Sequence, residues 1–286
     1  MGTAATGRVL VSEEDALEDG LLRVAIDAAR MAGGLLAERA SRGAEREVAS
    51  KSTPTDLVSE ADVASERAIR ELLEQRRPRD GFVGEEGGGS APGESGLRWV
   101  VDPLDGTINF LFGIPQWCVS VAVRDGEGTL AGAVYDPNRD ELFAATRTGR
   151  PALLTADGRL ELGRAGAWGP AAFSEDLPTA MIATGLAYDA TVRRAQARVL
   201  ERLVPRVRDI RRFGSAALDL AWTAVGRYDA YFERSVKEWD IAAGALVCDR
   251  AGLQVLELPE REHLPRGILV AQPALAGPLL ELVAGP

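Results

Sequence analysis

Apolar residues recur at helical spacing early in the chain. Leu17, Leu21, Val24, Ala25, Ala28 and Leu35 fall near a period of roughly 3.6 residues, which predicts one long helix over 14–40. The polar stretch 44–58 contains Pro54 and reads as a loop or short ribbon. Ser59 is suited to cap a second helix running to about Arg76, with Val63, Ile69, Leu72 and Leu73 inward. Phe82-Val83-Gly84 is a short apolar run ending on Glu85-Glu86, and residues 87–96, with five glycines and Pro92, read as a mobile surface loop. The middle of the chain alternates and is β-branched, predicting strands over 98–101, 117–124, 130–135 and 141–145, separated by Asp-Gly and Pro-Asn turns. Residues 146–178 read as irregular. Beyond them strands are expected at 180–184, 207–210, 230–233, 253–257 and 267–271, and helices at 190–204, 214–226, 239–252 and after Pro273. That alternation implies a layered α/β architecture with sheet buried between helices.

Composition narrows the classes. The chain has 286 residues, 46% hydrophobic and 27% charged, an ordinary globular balance. A chain of this size buries about three quarters of its unfolded surface and needs no disulfide or metal staple to fold. A net charge of −10 disfavours general binding of nucleic acid, whose phosphates repel it. No uncharged apolar run approaches the roughly 18 residues that span a bilayer. The stretch from Met1 to Asp19 lacks the basic start and apolar run of a secretory signal, so a cytoplasmic location without membrane attachment is expected. Cys118 and Cys248 lie in apolar runs and read as buried thiols. His263 is the only histidine and there is no CxxC pair, which argues against zinc. Of the 33 basic residues only Lys51 and Lys237 are lysine.

The densest chemical signal is Trp99-Val-Val-Asp102-Pro-Leu-Asp105-Gly-Thr107-Ile-Asn109-Phe110. A hydrophobic strand runs into Asp102, Pro103 restricts the turn, and Asp105 follows before Gly106. Two acids three apart on a tight turn, joined by the Leu104 carbonyl, can converge on one cation, and oxygen-only ligation suits Mg²⁺ or Mn²⁺. Taken alone, the same two aspartates are equally turn and helix-cap residues. Further acids sit at the ends of apolar segments: Glu85 and Glu86, Asp240 after Trp239, and Asp56 and Asp62 around the start of the second helix. Strand ends are where α/β sheets place ligands. Gathered without a cation, such acids raise one another's pKa, and divalent ions remove the conflict.

Asp102-Pro-Leu-Asp-Gly-Thr-Ile-Asn-Phe110, with Gly84-Glu-Glu86 upstream and Trp239-Asp240 downstream, resembles the inositol monophosphatase family. Lys51-Ser-Thr-Pro-Thr-Asp-Leu-Val58, Gly214-Ser-Ala-Ala217 and Tyr231-Phe-Glu233 extend the likeness over about residues 20–284. The resemblance implies a layered α-β-α-β-α sandwich, mixed α/β, forming one catalytic unit over 8–286. Its metal-binding half would span about 8–150 and its substrate half about 179–286. It implies a lithium-sensitive, magnesium-dependent phosphomonoesterase, usually a homodimer, acting on a small-molecule phosphate monoester. Glu85, Asp102 and the Leu104 carbonyl would hold one Mg²⁺, and Asp102, Asp105 and Asp240 a second, with a looser third ion shared by Glu85. Mn²⁺ could substitute. Thr107 would orient the attacking water, Asp62 would accept from its hydroxyl, and Glu85 would help take the proton. The amides of Gly106 and Thr107 would meet phosphate oxygens. Glu233, Asp240, Gly214, Ser215 and Ala216 would face the alcohol half.

Ile108 and Asn109 match the inositol-phosphate branch, whereas phosphoadenosine phosphatases carry lysine and glutamate there and histidinol-phosphate phosphatases often carry lysine for Ile108. Inositol-1-phosphate is therefore the leading substrate. Fructose 1,6-bisphosphate, for which Arg193, Arg194, Arg211 and Arg212 would have to supply a second phosphate pocket, and histidinol phosphate are the enzymatic alternatives. A partner of the transcription machinery is the alternative from another class. A catalytically dead scaffold should have lost one of Glu85, Asp102, Asp105 or Asp240, and all are present.

Overall fold

The computed structural model describes residues 13–42, 48–50, 57–87, 93–163 and 174–284; Lys51, Asp56 and the middle of the glycine-rich 87–96 stretch lie outside these. The long helix is α1 (Glu13–Ser41), followed by a two-stranded antiparallel ribbon of β1 (Val48–Ser50) and β2 (Leu57–Ser59) and then α2 (Glu60–Arg76). Ser59 caps α2: its Oγ accepts from the Ala61 N–H and its own N–H donates to Asp62. Together α1 and α2 cover one face of a seven-stranded sheet. Its strands, in order, are β3 (Gly81–Gly84), β4 (Arg98–Asp105), β5 (Cys118–Arg124), β6 (Thr129–Asp136), β7 (Glu141–Thr146), β8 (Ala152–Thr155) and β9 (Gly158–Glu161). A short helix, α3 (Thr107–Leu111), follows β4 directly.

The second sheet contains β10 (Met181–Thr184), β11 (Asp209–Arg211), β12 (Ala230–Arg234), β13 (Gln254–Leu258) and β14 (Gly267–Ala271), in the order β11-β10-β12-β14-β13. Between the sheets lie α5 (Ala216–Ala224) and α6 (Glu238–Arg250), while α4 (Ala190–Leu203) and α7 (Pro273–Val283) cover the outer face of the second sheet. The layers therefore run α-β-α-β-α. Both faces of the large sheet are buried along β4 to β7, which explains the nearly continuous apolar runs there. Along β4, Val100 packs toward α5 and α6 while its neighbour Val101 packs toward α1 and α2, as strand alternation requires. Every residue of α5 is buried, as expected for a helix between two sheets.

Three expectations are corrected. Val63 is 52% exposed, not inward. The buried face of α2 instead carries Asp62, Ser65, Glu66, Ile69 and Leu73. Residues 152–161, expected to be irregular, form the β8–β9 hairpin at the sheet edge, turning before Gly158, where φ is 131°. Finally, β4 does not stop at Val101. It continues through Asp105 past a register shift between Asp102 and Asp105, and this bulge lets Pro103 sit in the strand although it has no N–H for the ladder.

Candidate active site

The bulge in β4 aims the acids. Asp102 folds back so that its Oδ1 accepts from the Leu104 N–H at 3.0 Å. Gly106, at φ 96°, then turns the chain into α3; a side chain there would meet the Gln116 carbonyl at 2.9 Å, so the turn requires glycine. Glu85 leaves the end of β3, the parallel neighbour of β4. Asp240 sits in the first turn of α6, where its Oδ2 accepts from the Lys237 N–H at 2.6 Å. The start of α6 is tied to the large sheet by Glu238, which pairs with Arg98 at 2.8 Å and Arg124 at 3.1 Å.

These elements bring Glu85, Asp102 and Asp240 together, with one carboxylate oxygen from each within 4.8 Å of the others. Burial, then the charges of Glu85, Asp105 and Asp240, push the Asp102 carboxyl well above the usual carboxylate range. Burial followed by Glu85 and Asp105 does the same to Asp240. Ionising these buried carboxyls together sets like charges against one another, a conflict that protonation or a bound cation relieves. An all-oxygen, multiply acidic donor set fits a hard divalent cation.

Beside the acids, the Thr107 hydroxyl lies 2.8 Å from Asp62 Oδ1 and 3.1 Å from the Leu104 carbonyl. The other carboxylate oxygen of Asp62 accepts from the Ser59 N–H at 2.8 Å and the Ser59 hydroxyl at 2.6 Å. One helix face supplies this support, because residues spaced i, i+3 and i+4 share a side. Next to Asp62 on that face, the Ser65 hydroxyl donates to the Pro103 carbonyl at 2.8 Å and Glu66 accepts from the Glu86 N–H at 2.8 Å. Ser65 and Glu66 thus hold the β4 bulge and the Glu85-Glu86 turn. A search for apolar periodicity passes over them, although two polar residues one turn before the buried Ile69 are the signal that could have found them.

Asp105 stands apart from the three clustered acids. Its carboxylate accepts from the Ser215 hydroxyl at 2.6 Å and from the Ala216 and Ala217 N–H groups at 3.2 and 2.7 Å, so it caps α5 from another part of the chain. Burial outweighs these bonds and leaves the carboxyl pushed up to about 6. Asn109 Nδ2 donates to the carbonyls of Gln116 and Phe213, each at 2.7 Å, and holds the turn containing Gly214 against α3. Glu233, on β12, accepts from the Tyr231 hydroxyl at 2.8 Å, and burial pushes its carboxyl up to about 7. Gly185 admits that carboxylate: a Cβ there would lie 1.9 Å from it. Lys237 is exposed and contributes its backbone N–H at the start of α6, and His263 is an exposed loop residue. Both cysteines are free and buried.

A layered α/β fold with oxygen-only acids gathered at strand and helix ends, beside an aspartate-held threonine, defines a phosphatase-class scaffold. The sequence pattern of the inositol monophosphatase family matches residues 18–284. The chain is 43% identical over 239 residues to the inositol-1-monophosphatase SuhB of Mycobacterium tuberculosis H37Rv, covering 82% of this chain and 80% of that one. It is 40% identical over 253 residues to the Nus factor SuhB of Pasteurella multocida, covering 88% and 90% respectively. The crystal structure of the extragenic suppressor protein suhB from Bartonella henselae superposes with a TM-score of 0.79 at 34% identity, covering 92% of this chain and 98% of that one. The chain belongs to the inositol monophosphatase family.

Proposed function

We propose that the protein hydrolyses the phosphate monoester of a small polyol, with inositol-1-phosphate the leading substrate, by direct attack of water and without a phosphoenzyme. The observation that carries this reading is the convergence of Glu85, Asp102 and Asp240 beside the Asp62–Thr107 pair. In this reading Glu85, Asp102 and the Leu104 carbonyl hold one Mg²⁺ and Asp102, Asp105 and Asp240 a second, with a third near Glu85 and Mn²⁺ able to substitute. Bound there, such cations supply positive charge to the phosphate oxygens and leaving alkoxide and acidify a neighbouring water.

The chain's own residues do the rest. Thr107 has one hydroxyl hydrogen, and the charged Asp62 oxygen at 2.8 Å is a stronger acceptor than the Leu104 carbonyl at 3.1 Å. The Thr107 oxygen is therefore left as an acceptor, able to orient a water. Glu85 helps take that water's proton. The Gly106 and Thr107 amides bind phosphate oxygens, and Glu233 and Asp240 accept from hydroxyls of the alcohol half, beside the Gly214, Ser215 and Ala216 segment. A homodimer is part of the same reading, supported by Phe112 and Ile114, which are 73% and 48% exposed next to α3. So is a cytoplasmic location, supported by the absence, among the described residues, of any helix long and apolar enough to cross a membrane.

A second reading, a partner of the transcription machinery, is favoured by the relative from Pasteurella multocida named a Nus factor. Phosphate release from inositol-1-phosphate, fructose 1,6-bisphosphate, histidinol phosphate and phosphoadenosine phosphate, with Mg²⁺ and with EDTA, separates the two. Fastest release from inositol-1-phosphate, abolished by EDTA, is expected. Release undiminished by EDTA would overturn the metal mechanism, and no release from any ester would leave the second reading.

A further inference from the structure

We propose that the cleft between α4 and the turn at residues 261–264 binds a small, multiply charged phosphate anion, separately from the acid cluster. Thr191, Arg194 and Arg198 of α4 line one cavity of about 540 Å³ together with Arg261, Glu262 and His263 of the turn. Arg194 and Arg198 are four apart on the helix, so they share a face, with Cβ atoms about 5–6 Å apart. None of these three arginines pairs with a carboxylate among the described residues. Arg193, by contrast, is turned to the carbonyls of Ala187 and Tyr188 at 3.1 and 2.8 Å, and Arg211 to Asp209. No residue lining the cavity belongs to the Glu85, Asp102 and Asp240 cluster or to the Glu233 and Gly214 segments.

The turn is held in place before any ligand arrives. Arg261 and Leu264 exchange backbone hydrogen bonds at 2.8 and 3.0 Å, and His263 between them holds φ 58°. Leu264, 2% exposed, anchors the turn in the core that Val199 and Leu203 of α4 share. Buried Arg234 donates from Nη1 to the Pro259 and Pro265 carbonyls at 2.9 and 2.8 Å, which fixes both ends of the loop. Those carbonyls satisfy its donors without supplying a counter-charge. Burial, then the charge of Arg261, holds the Arg234 guanidinium below its ordinary value. The local sequence is basic as well: eight of residues 193–212 are arginine, against Glu201 and Asp209, in a chain of net charge −10. Around the cavity three guanidiniums outnumber Glu262, the one carboxylate that lines it. Their planar forks match phosphate oxygens, which accept paired N–H donors. Size decides the class of ligand. Charge is screened beyond about 8 Å at physiological salt, so an anion held in the cavity feels the guanidiniums and little of the acidic surface. A nucleic-acid strand would have to run on over that surface and be repelled.

The test is isothermal titration calorimetry with inorganic phosphate, pyrophosphate and a single-stranded oligonucleotide, in EDTA so that no cation draws an anion to the acid cluster. Pyrophosphate is expected to bind once per chain, and more tightly than inorganic phosphate, whose charge is lower. Arg198, Arg261 and Glu262 are exposed, so their variants should fold. Arg198→Ala and Arg261→Ala are each expected to weaken pyrophosphate about tenfold, as for one charge-assisted hydrogen bond. Glu262→Gln, which removes a repelling carboxylate, should tighten it, a gain that misfolding cannot mimic. Absence of pyrophosphate binding, or binding that Arg198→Ala and Arg261→Ala leave unchanged, would overturn the proposal. Tighter binding of the oligonucleotide, lost in the same two variants, would also overturn it and make this face a nucleic-acid surface.

Discussion

Replacing Asp62 by asparagine tests the water-orienting pair most sharply, because the change is nearly isosteric and its consequences follow from three hydrogen bonds. Asp62 is fully buried and accepts from Thr107 Oγ1 at 2.8 Å, Ser59 N at 2.8 Å and Ser59 Oγ at 2.6 Å. An asparagine amide can take two positions. Facing Ser59, its NH₂ meets the Ser59 N–H donor to donor and leaves buried groups unsatisfied, at a cost of about 1–3 kcal/mol. Facing Thr107, it donates to Oγ1, forces the threonine hydrogen toward the Leu104 carbonyl at 3.1 Å, and uses the lone pair that would orient water. In the first position Thr107 still donates, now to a neutral amide oxygen that is the weaker acceptor, and in the second the polarity of the pair is reversed. Melting should fall by roughly 2–10 °C, at about 2–4 °C per kcal/mol for a chain of this size. The turnover number should fall by about 10²–10⁴-fold, the usual worth of a positioned proton acceptor. The assay is phosphate release at saturating inositol-1-phosphate and Mg²⁺, beside calorimetric melting. Thr107→Val should match Asp62→Asn, and Thr107→Ser, which keeps the hydroxyl, should retain activity within about tenfold of the unaltered protein. A kcat in Asp62→Asn or Thr107→Val within about threefold of the unaltered protein, outside that range, would refute the reasoning.

Asp102→Asn removes a charge from a crowded buried cluster. It should raise the melting temperature of the cation-free protein while lowering phosphate release by roughly 10²–10³-fold, and a destabilised but active variant would contradict the site. Cation-free stability should also depend on pH with a definite sign. The folded state binds protons at Asp102, Asp105 and Asp240 more tightly than the unfolded state does, so stability present below the ordinary carboxylate range is lost as pH rises through the folded values, about 6 for Asp105. Melting in EDTA should therefore fall between pH 5 and pH 8 and added Mg²⁺ should raise it most at pH 8; a Mg²⁺ effect independent of pH would count against the cluster as the binding site. Gly185→Ala places a Cβ within 1.9 Å of the Glu233 carboxylate and should displace it. Both Gly185→Ala and Glu233→Ala should slow inositol-1-phosphate hydrolysis more than p-nitrophenyl phosphate hydrolysis, and equal losses would remove Glu233 from the substrate site.

Much of the fold was legible because burial imposes local periods. The 3.6-residue spacing in α1 follows from which face meets the core, and the nearly continuous apolar runs of β5 to β7 follow from burial on both faces. The misreadings have equally local causes. Val63 looked inward because it is apolar, but the face beside it is claimed by Asp62, Ser65 and Glu66, whose hydrogen bonds hold the site. The β8–β9 hairpin was hidden by the glycine and proline around it, and its second strand is exposed along its whole length, so no buried face marks it. In the site, the motif order pointed to the acids, but no local rule places Asp240 beside Glu85, since their approach depends on α6 docking between the two sheets. Nor could spacing show that Asp105 caps α5, because the helix that it caps begins more than a hundred residues later.

The proposed hydrolysis depends on hard cations held by the clustered acids. The most direct measurement is a crystal equilibrated with Mn²⁺ and read by anomalous scattering. At least one strong peak is expected touching Glu85, Asp102 and the Leu104 carbonyl, at roughly the 2.0–2.2 Å of a small hard ion on oxygen, and its loss is expected in Asp102→Asn. A saturated crystal in which those oxygens carry no peak, while the protein still releases phosphate, would contradict it.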